Sequence, residues 1–321
     1  MKKFTSVNDV QDIKVLVKRA FEIKKSPSAN CELGKNKTML LIFFNNSLRT
    51  RLSTQKAALN LGMNVIVFDI NEGGWKLETE MGVIMDGDKP EHIREAVPVI
   101  GSFCDIIGVR SFASLSDKEK DYNEVILSQF VKYSGVPVVS LESATLHPLQ
   151  SFADIITIEE YKKIEKPKIV MSWAPHPRAL PQAVPNSFAE WVLAAGYELT
   201  ITHPEGYELN EKYTKGAKIE HDQLKAFEGA DFVYAKNWSS YDKYGEILST
   251  DKSWTISDKQ MSKTNDAKFM HCLPVRRNMI VSDSVIDSTN SLVIPEAANR
   301  LYSAQTVIET ILIQPVASPR G

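Results

Sequence analysis

The segment KTMLLIFFNNSLRTR, residues 37–51, changes character twice. Lys37–Phe44 holds the unbroken apolar run Met39–Phe44 and reads as a buried strand. Asn45-Asn46-Ser47 brings turn and helix-cap chemistry. Leu48-Arg49-Thr50-Arg51 then leads into a helical pattern over Ser53–Leu61, and Asn64–Phe68 reads as the next strand. Strand, helix and strand in this order open an α/β fold.

The alternation extends in both directions. Residues 8–24 carry apolar side chains at helical spacing (Val10, Ile13, Val15, Leu16, Ala20, Phe21). Ile106–Val109 and Val136–Ser140 are short strand-like runs, and Phe152–Tyr161 reads as a helix. A second series follows: strand Lys168–Ser172, a proline-rich loop, helix Ser187–Ala195, strand Tyr197–Thr202, helix His221–Phe227 and strand Phe232–Ala235. Lys268–His271 and Ser291–Ile294 read as late strands, and Ala304–Ile313 as the last helix. Two series within 321 residues predict two domains, each a mostly parallel sheet flanked by helices, with a substrate cleft between them. The boundaries fall at 1–147 and 148–300. A helix at 301–314 packs back on the first domain, and the tail, 315–321, is expected to be disordered.

Composition narrows the function. Hydrophobic residues at 43% and charged residues at 24% fit an ordinary soluble globular protein, and a net charge of -2 offers no nucleic-acid surface. The N-terminus lacks an apolar h-region and no long apolar run could span a membrane. Cys31, Cys104 and Cys272 are odd in number and far apart, which predicts free thiols in the cytoplasm. No metal-ligand cluster stands out: His92, His203 and His221 are scattered and expected at the surface. There is neither a G-x-G-x-x-G nor a Walker loop, which argues against a dinucleotide-dependent oxidoreductase and a P-loop nucleotide site.

The segment 45–51 has anion-binding chemistry. Backbone N–H groups at a helix start, together with the dipole, attract negative charge. Ser47 and Thr50 add hydroxyls, and Arg49 and Arg51 add guanidinium forks suited to phosphate. The plainer alternative is that Ser47 is only an N-cap and the arginines are solvated.

Ser47-Leu48-Arg49-Thr50-Arg51 resembles the Ser-x-Arg-Thr-Arg phosphate motif of the aspartate/ornithine transcarbamylases. His147-Pro148-Leu149-Gln150 resembles their His-Pro-x-Gln motif. His271-Cys272-Leu273-Pro274 resembles the His-Cys-Leu-Pro of the ornithine branch, and Asn299-Arg300 their late Asn-Arg pair. The four occur in the family's order, and the resemblance runs from about residue 4 to 313. It implies an enzyme that moves the carbamoyl group of carbamoyl phosphate onto an amine; no cofactor is expected, and the scattered histidines give no metal site. Ser47, Leu48, Arg49, Thr50 and Arg300 would hold the phosphate. Arg110 and His147 would face the carbonyl oxygen, which gains negative charge in the attack. Gln150 and the backbone carbonyls of Cys272 and Leu273 would accept from the carbamoyl NH2. Cys272 is not proposed as a nucleophile, because the substrate amine fills that role. Trp75, in the loop after the second strand, would reach a neighbouring subunit's site in a homotrimer. The first domain would bind carbamoyl phosphate and the second an N-acylated ornithine.

The acceptor branch is legible in part. Lys236-Asn237-Trp238-Ser239-Ser240-Tyr241 lacks the Ser-Met-Gly loop of ornithine enzymes, and Lys236 suits an α-carboxylate whose amine is already acylated. The loop Trp173–Arg178 with Pro181 and Pro185 resembles that of the acylornithine branch. Pro90 stands where acetylornithine enzymes carry glutamate and succinylornithine enzymes carry proline; a carboxylate there would repel the second carboxylate of a succinyl group. Otherwise Pro90 merely opens a helix at Glu91–Val97. His176, Arg178, Leu273 and Arg276 would contact the acceptor, and Glu142 would face its reacting amine. N-acetylornithine is the alternative acceptor; a non-catalytic carbamoyl-phosphate-binding paralogue is the alternative outside the enzyme class. An alkyl amine with a pKa of about 10.4 is almost wholly protonated at neutral pH, so activity is expected to rise with pH above neutrality. A rate profile measured from about pH 6 to about pH 9 checks this, and a flat profile would exclude it.

Overall fold

A computed structural model of the chain describes residues 1–70, 74 and 76–313. Trp75 and the tail 315–321 lie outside the described residues. The chain divides into two compact units. The first holds Met1–Phe112, Asn123–Ser143 and the described residues from Arg300 on; the second holds Ala113–Tyr122 and Ala144–Asn299.

The first unit is built on a parallel sheet of β1 (Lys3–Phe4), β2 (Thr38–Phe43), β3 (Asn64–Asp69), β6 (Ile106–Arg110) and β7 (Val138–Glu142), in the order β1-β7-β6-β2-β3. Two short strands, β4 (Leu77–Glu78) and β5 (Glu91–His92), pair apart from it. Met39 through Phe43 are all buried, as expected of a strand covered on both faces. Helices α1 (Ile13–Lys25), α2 (Leu48–Asn60), α3 (Ile93–Gly101) and α4 (Val125–Tyr133) belong to this unit. Gly62 ends α2 at φ +81°, and a Cβ there would stand 1.9 Å from the Cys31 carbonyl oxygen. Glycine is therefore the residue that fits.

The second unit has the parallel sheet β10-β9-β8-β11-β12: β8 (Lys168–Trp173), β9 (Glu198–Thr202), β10 (Lys218–Glu220), β11 (Phe232–Lys236) and β12 (Lys268–Met270). Helix α5 (Pro148–Tyr161) is buried continuously from Pro148 to Ile158, and α6 (Ala183–Ala194) is also largely buried. In each sheet the order reverses beside the first long strand, between β2 and β6 and between β8 and β11. Such reversals open a crevice at strand C-termini.

Four expectations fail. Ser291–Ile294 is not a strand: Ser291 makes a single bridge to Phe269, and α7 (Val293–Ile313) begins at Val293 instead of Ala304. Pro295 is tolerated because first-turn N–H groups have no intrahelical partner. Helix α2 starts at Leu48 rather than Ser53, since Ser47 caps it although Leu48 and Leu52 are exposed. Helix α3 starts at Ile93 with His92 as cap, so Pro90 is not its first residue. His203, expected at the surface, is fully buried with its ring beside that of His221. Among the described residues, no helix is long and apolar enough to cross a membrane.

Candidate active site

The first unit gathers Ser47, Thr50, Arg110 and Glu142 at the ends of β2, β6 and β7. Ser47 caps α2 by accepting from the Thr50 N–H at 3.3 Å. Capping and anion binding are compatible, because the N–H groups at Leu48 and Arg49 lie in the same first turn. The Leu48 side chain is 70% exposed, so what Leu48 offers a ligand is its backbone. Thr50 is buried, and its hydroxyl oxygen accepts from the Arg300 guanidinium at 2.5 Å. That bond turns the hydroxyl's own hydrogen elsewhere, as a donor. Arg51 stacks over the Phe43 ring at 4.9 Å and lies 3.6 Å from Asp69, while its side chain stays 37% exposed. A surface depression is lined by Asn46, Ser47, Leu48, Arg51 and Leu52.

Arg110 and Glu142 are neighbours through strand register. A shift between Val109 and Arg110 sets Arg110 opposite Glu142, where the two form a buried ion pair at 2.5 Å. Neither is the surface charge that its sequence position alone would suggest. Arg110 also covers the Phe112 ring at 4.3 Å. Pro90 stands exposed after the exposed ion pair Lys76–Asp88 and just before β5.

The second unit carries the remaining motifs. His147 is the cap residue of α5, with Pro148 at the first turn, and its ring is buried without capping the helix. Gln150 follows one turn later, as expected. Its amide nitrogen donates to Asp154 at 2.8 Å and to Glu296 at 3.4 Å. The carboxylates thus fix the amide, with Nε2 toward them and Oε1 pointing the opposite way as an acceptor.

Asp154 and Glu296 were not legible as site residues, and both are fully buried. Burial, reinforced by Asp154 and then Cys272, holds the Glu296 carboxyl well above the usual carboxylate range. Glu296 also accepts the His271 N–H at 2.9 Å, and His271 Nδ1 accepts from the Leu273 N–H at 2.9 Å. The His271 proton is therefore on Nε2. Leu273 sits at φ +53° before a cis peptide to Pro274, a left-handed conformation that costs about 1–2 kcal/mol. Cys272 is buried and forms no disulfide. The only advance signal was Gln150 and Asp154 at i,i+4 on one helix face.

The loop after β8 carries a cationic cluster. His176 Nε2 accepts from Arg276 Nε at 3.1 Å, while Nδ1 lies 2.9 Å from the Arg178 carbonyl oxygen and 3.1 Å from the Arg178 N–H. Burial lowers the His176 pKa, and the nearby Arg276, Lys236 and Arg178 lower it further. These are the four acceptor-side residues expected of this unit besides Leu273.

The chain's two parts match the models for the aspartate/ornithine carbamoyltransferase carbamoyl-P binding domain, over residues 2–160, and Asp/Orn binding domain, over residues 181–311. It is 68% identical to the N-succinylornithine carbamoyltransferase of Bacteroides fragilis strain 638R over 97% of this chain and 99% of that protein. It is 67% identical, with the same coverage, to that of Bacteroides thetaiotaomicron. Among solved structures, a variant of N-acetyl-L-ornithine transcarbamylase in which one glutamate is replaced by proline, complexed with carbamyl phosphate and N-succinyl-L-norvaline, superposes with a TM-score of 0.91 at 33% identity. The match covers 97% of this chain and all of that one.

The raised Glu296 pKa has a stability consequence. The folded state holds this proton above the ordinary value of 4.5, so Glu296 favours folding at low pH and loses that contribution as pH rises from about 4.5 toward its folded pKa. Glu296→Gln mimics the protonated form. Its stability should fall less steeply than the wild type's over that window, whereas Glu296→Ala should lose about 1–3 kcal/mol from unsatisfied buried groups. Urea unfolding at several pH values checks both.

Proposed function

The chain belongs to the aspartate/ornithine carbamoyltransferase family, and from that premise we propose that it transfers the carbamoyl group of carbamoyl phosphate to the side-chain amine of N-succinyl-L-ornithine. The products are N-succinylcitrulline and phosphate. The observation that carries this reading is the 68% identity, over nearly the whole chain, to an N-succinylornithine carbamoyltransferase.

The first unit binds carbamoyl phosphate. The phosphate takes the N–H groups of the first turn of α2, the Ser47 and Thr50 hydroxyls, Arg49 and Arg300. Arg110 and His147 stabilise the carbonyl oxygen as it becomes anionic, and Gln150 Oε1 accepts from the carbamoyl NH2 together with the Cys272 and Leu273 carbonyls. Loss of one such donor to the oxyanion costs on the order of a hundredfold in rate. Glu142, kept beside the Arg110 charge, faces the incoming amine, and the departing phosphate takes the proton. The second unit binds the acceptor: Lys236, Arg178, His176 and Arg276 receive its carboxylates.

The enzyme acts in arginine biosynthesis, as a cytoplasmic homotrimer in which Trp75 serves a neighbouring subunit's site. Supporting the assembly, Leu48, Leu52 and Leu59 lie exposed along one face of α2, the kind of apolar patch that marks an interface.

N-acetylornithine is the second reading, resting on the more distant likeness, 33% identity, to an acetylornithine transcarbamylase complexed with acetylcitrulline. Phosphate and ureido product would be measured with N-succinylornithine, N-acetylornithine, ornithine and aspartate. Product mainly with N-succinylornithine is expected; product mainly with N-acetylornithine would sink the acceptor assignment, and none with any would favour a non-catalytic binder. Pro90→Glu should lower kcat/KM for the succinyl acceptor roughly tenfold or more and move preference toward the acetyl one. Unchanged preference would remove Pro90 from the acceptor site.

A further inference from the structure

Strands β9 and β10 run parallel, with Thr202 paired to Glu220. The next residue on each strand is a histidine, so register alone brings His203 and His221 together at the C-terminal edge of the second sheet. Their rings are 5.0 Å apart and nearly perpendicular, at 87°. Glu208 comes to the same place from the loop after β9. That loop is anchored: the Trp238 indole N–H donates to the Tyr207 carbonyl at 2.7 Å, and the Tyr207 hydroxyl accepts from the N–H groups of Leu248 and Ser249. One ligand atom from each of His203, Glu208 and His221 lies within 4.8 Å of the others.

The tautomers are set by the backbone. His203 Nδ1 is 2.8 Å from the Pro204 carbonyl, and His221 Nδ1 is 3.0 Å from the His203 carbonyl. A carbonyl only accepts, so both Nδ1 atoms carry the proton and both Nε2 atoms present a lone pair. His203 is completely buried, yet its Nε2 has no hydrogen-bond partner among the described residues. A buried acceptor left in that state is costly. Burial also lowers the His203 pKa and favours the neutral ring. A histidine with Nδ1–H on a carbonyl and Nε2 open is the usual arrangement of a metal ligand with its outer-shell partner.

We propose that His203, Glu208 and His221 form a binding site for a divalent transition metal, zinc in particular, at the edge of the second sheet. Two imidazoles and one carboxylate suit zinc, with water as the fourth ligand. Glu208 and His221 are exposed side chains, able to close from 4.8 Å to ligand–ligand contact without moving the core. The ion would tie the ends of β9 and β10 to the loop at Glu208, and it has no part in carbamoyl transfer.

The test is equilibrium dialysis of the full-length protein against zinc chloride, with metal analysis and thermal unfolding. His221→Ala and Glu208→Gln carry it, since both positions are exposed; His203→Ala risks the fold. Wild type should bind one zinc per chain and show a higher Tm with zinc present. Each variant should bind zinc at least about tenfold more weakly, since losing even an outer-shell partner costs that much, and its Tm should rise less. No zinc bound to the wild type, or wild-type affinity in either variant, would overturn the proposal.

Discussion

A parallel sheet sends every strand's C-terminus to one edge, and that constraint governs where chemistry can sit in this chain. Each crossover must return to the opposite edge before the next strand begins. Where strand order reverses, between β2 and β6 and between β8 and β11, neighbouring loops leave in opposite directions. Ser47–Thr50 follow β2, Arg110 ends β6 and Glu142 ends β7. His176 and Arg178 follow β8, Lys236 ends β11 and His271–Leu273 follow β12. Residues separated by tens of positions thus share an edge without any local signal in the sequence that they would.

An edge of polar side chains backed by a dry interior needs fixed orientations. The second unit obtains them from two buried carboxyl groups, Asp154 and Glu296. Two like charges in such surroundings cannot both ionise, so a proton stays on Glu296. The pair accepts the Gln150 amide and the His271 N–H, and it thereby decides which end of Gln150 can face a ligand. In the first unit a charge pair, Arg110 with Glu142, serves the same purpose. Burying such groups costs free energy unless every one is hydrogen-bonded, which explains why the polar partners come as networks. Asn299 belongs to one of them: it donates to Thr157 and Glu160 on α5, while its neighbour Arg300 reaches Thr50.

Much of this was legible because apolar runs and cap residues are local. β2, β3, β8, β9 and β11 lie within a residue or so of where the hydrophobic pattern puts them, and Ser47 was readable as a helix cap by residue type. What escaped depended on contacts distant in sequence. Val293–Ala304 reads as strand and loop around Pro295, yet it is helix, because a first-turn proline loses no hydrogen bond. Asp154 and Glu296 look like solvent-facing carboxylates until the fold buries them. His203 and His221 looked unrelated because strand register, not sequence separation, pairs them.

The cluster proposed to receive the acceptor illustrates how charge can select between similar ligands. N-acetylornithine carries one carboxylate and one ammonium, whereas the succinyl compound carries a second carboxylate. Around His176 the chain gathers Arg276, Lys236 and Arg178. Burial first, and then those cations, disfavour the imidazole's protonation, so His176 accepts from Arg276 and holds that guanidinium in place instead of repelling it. A cluster with three permanent charges is in excess for a ligand with one carboxylate and is better matched by two. Attraction alone discriminates weakly, because a monoanion also benefits from it. In the proposed function selectivity sharpens when the competing design, a glutamate at position 90, is absent, because an uncharged residue there adds no repulsion against a dianion. The preference for a succinyl group would then rest on two separable features, a gathered positive charge and a missing negative one.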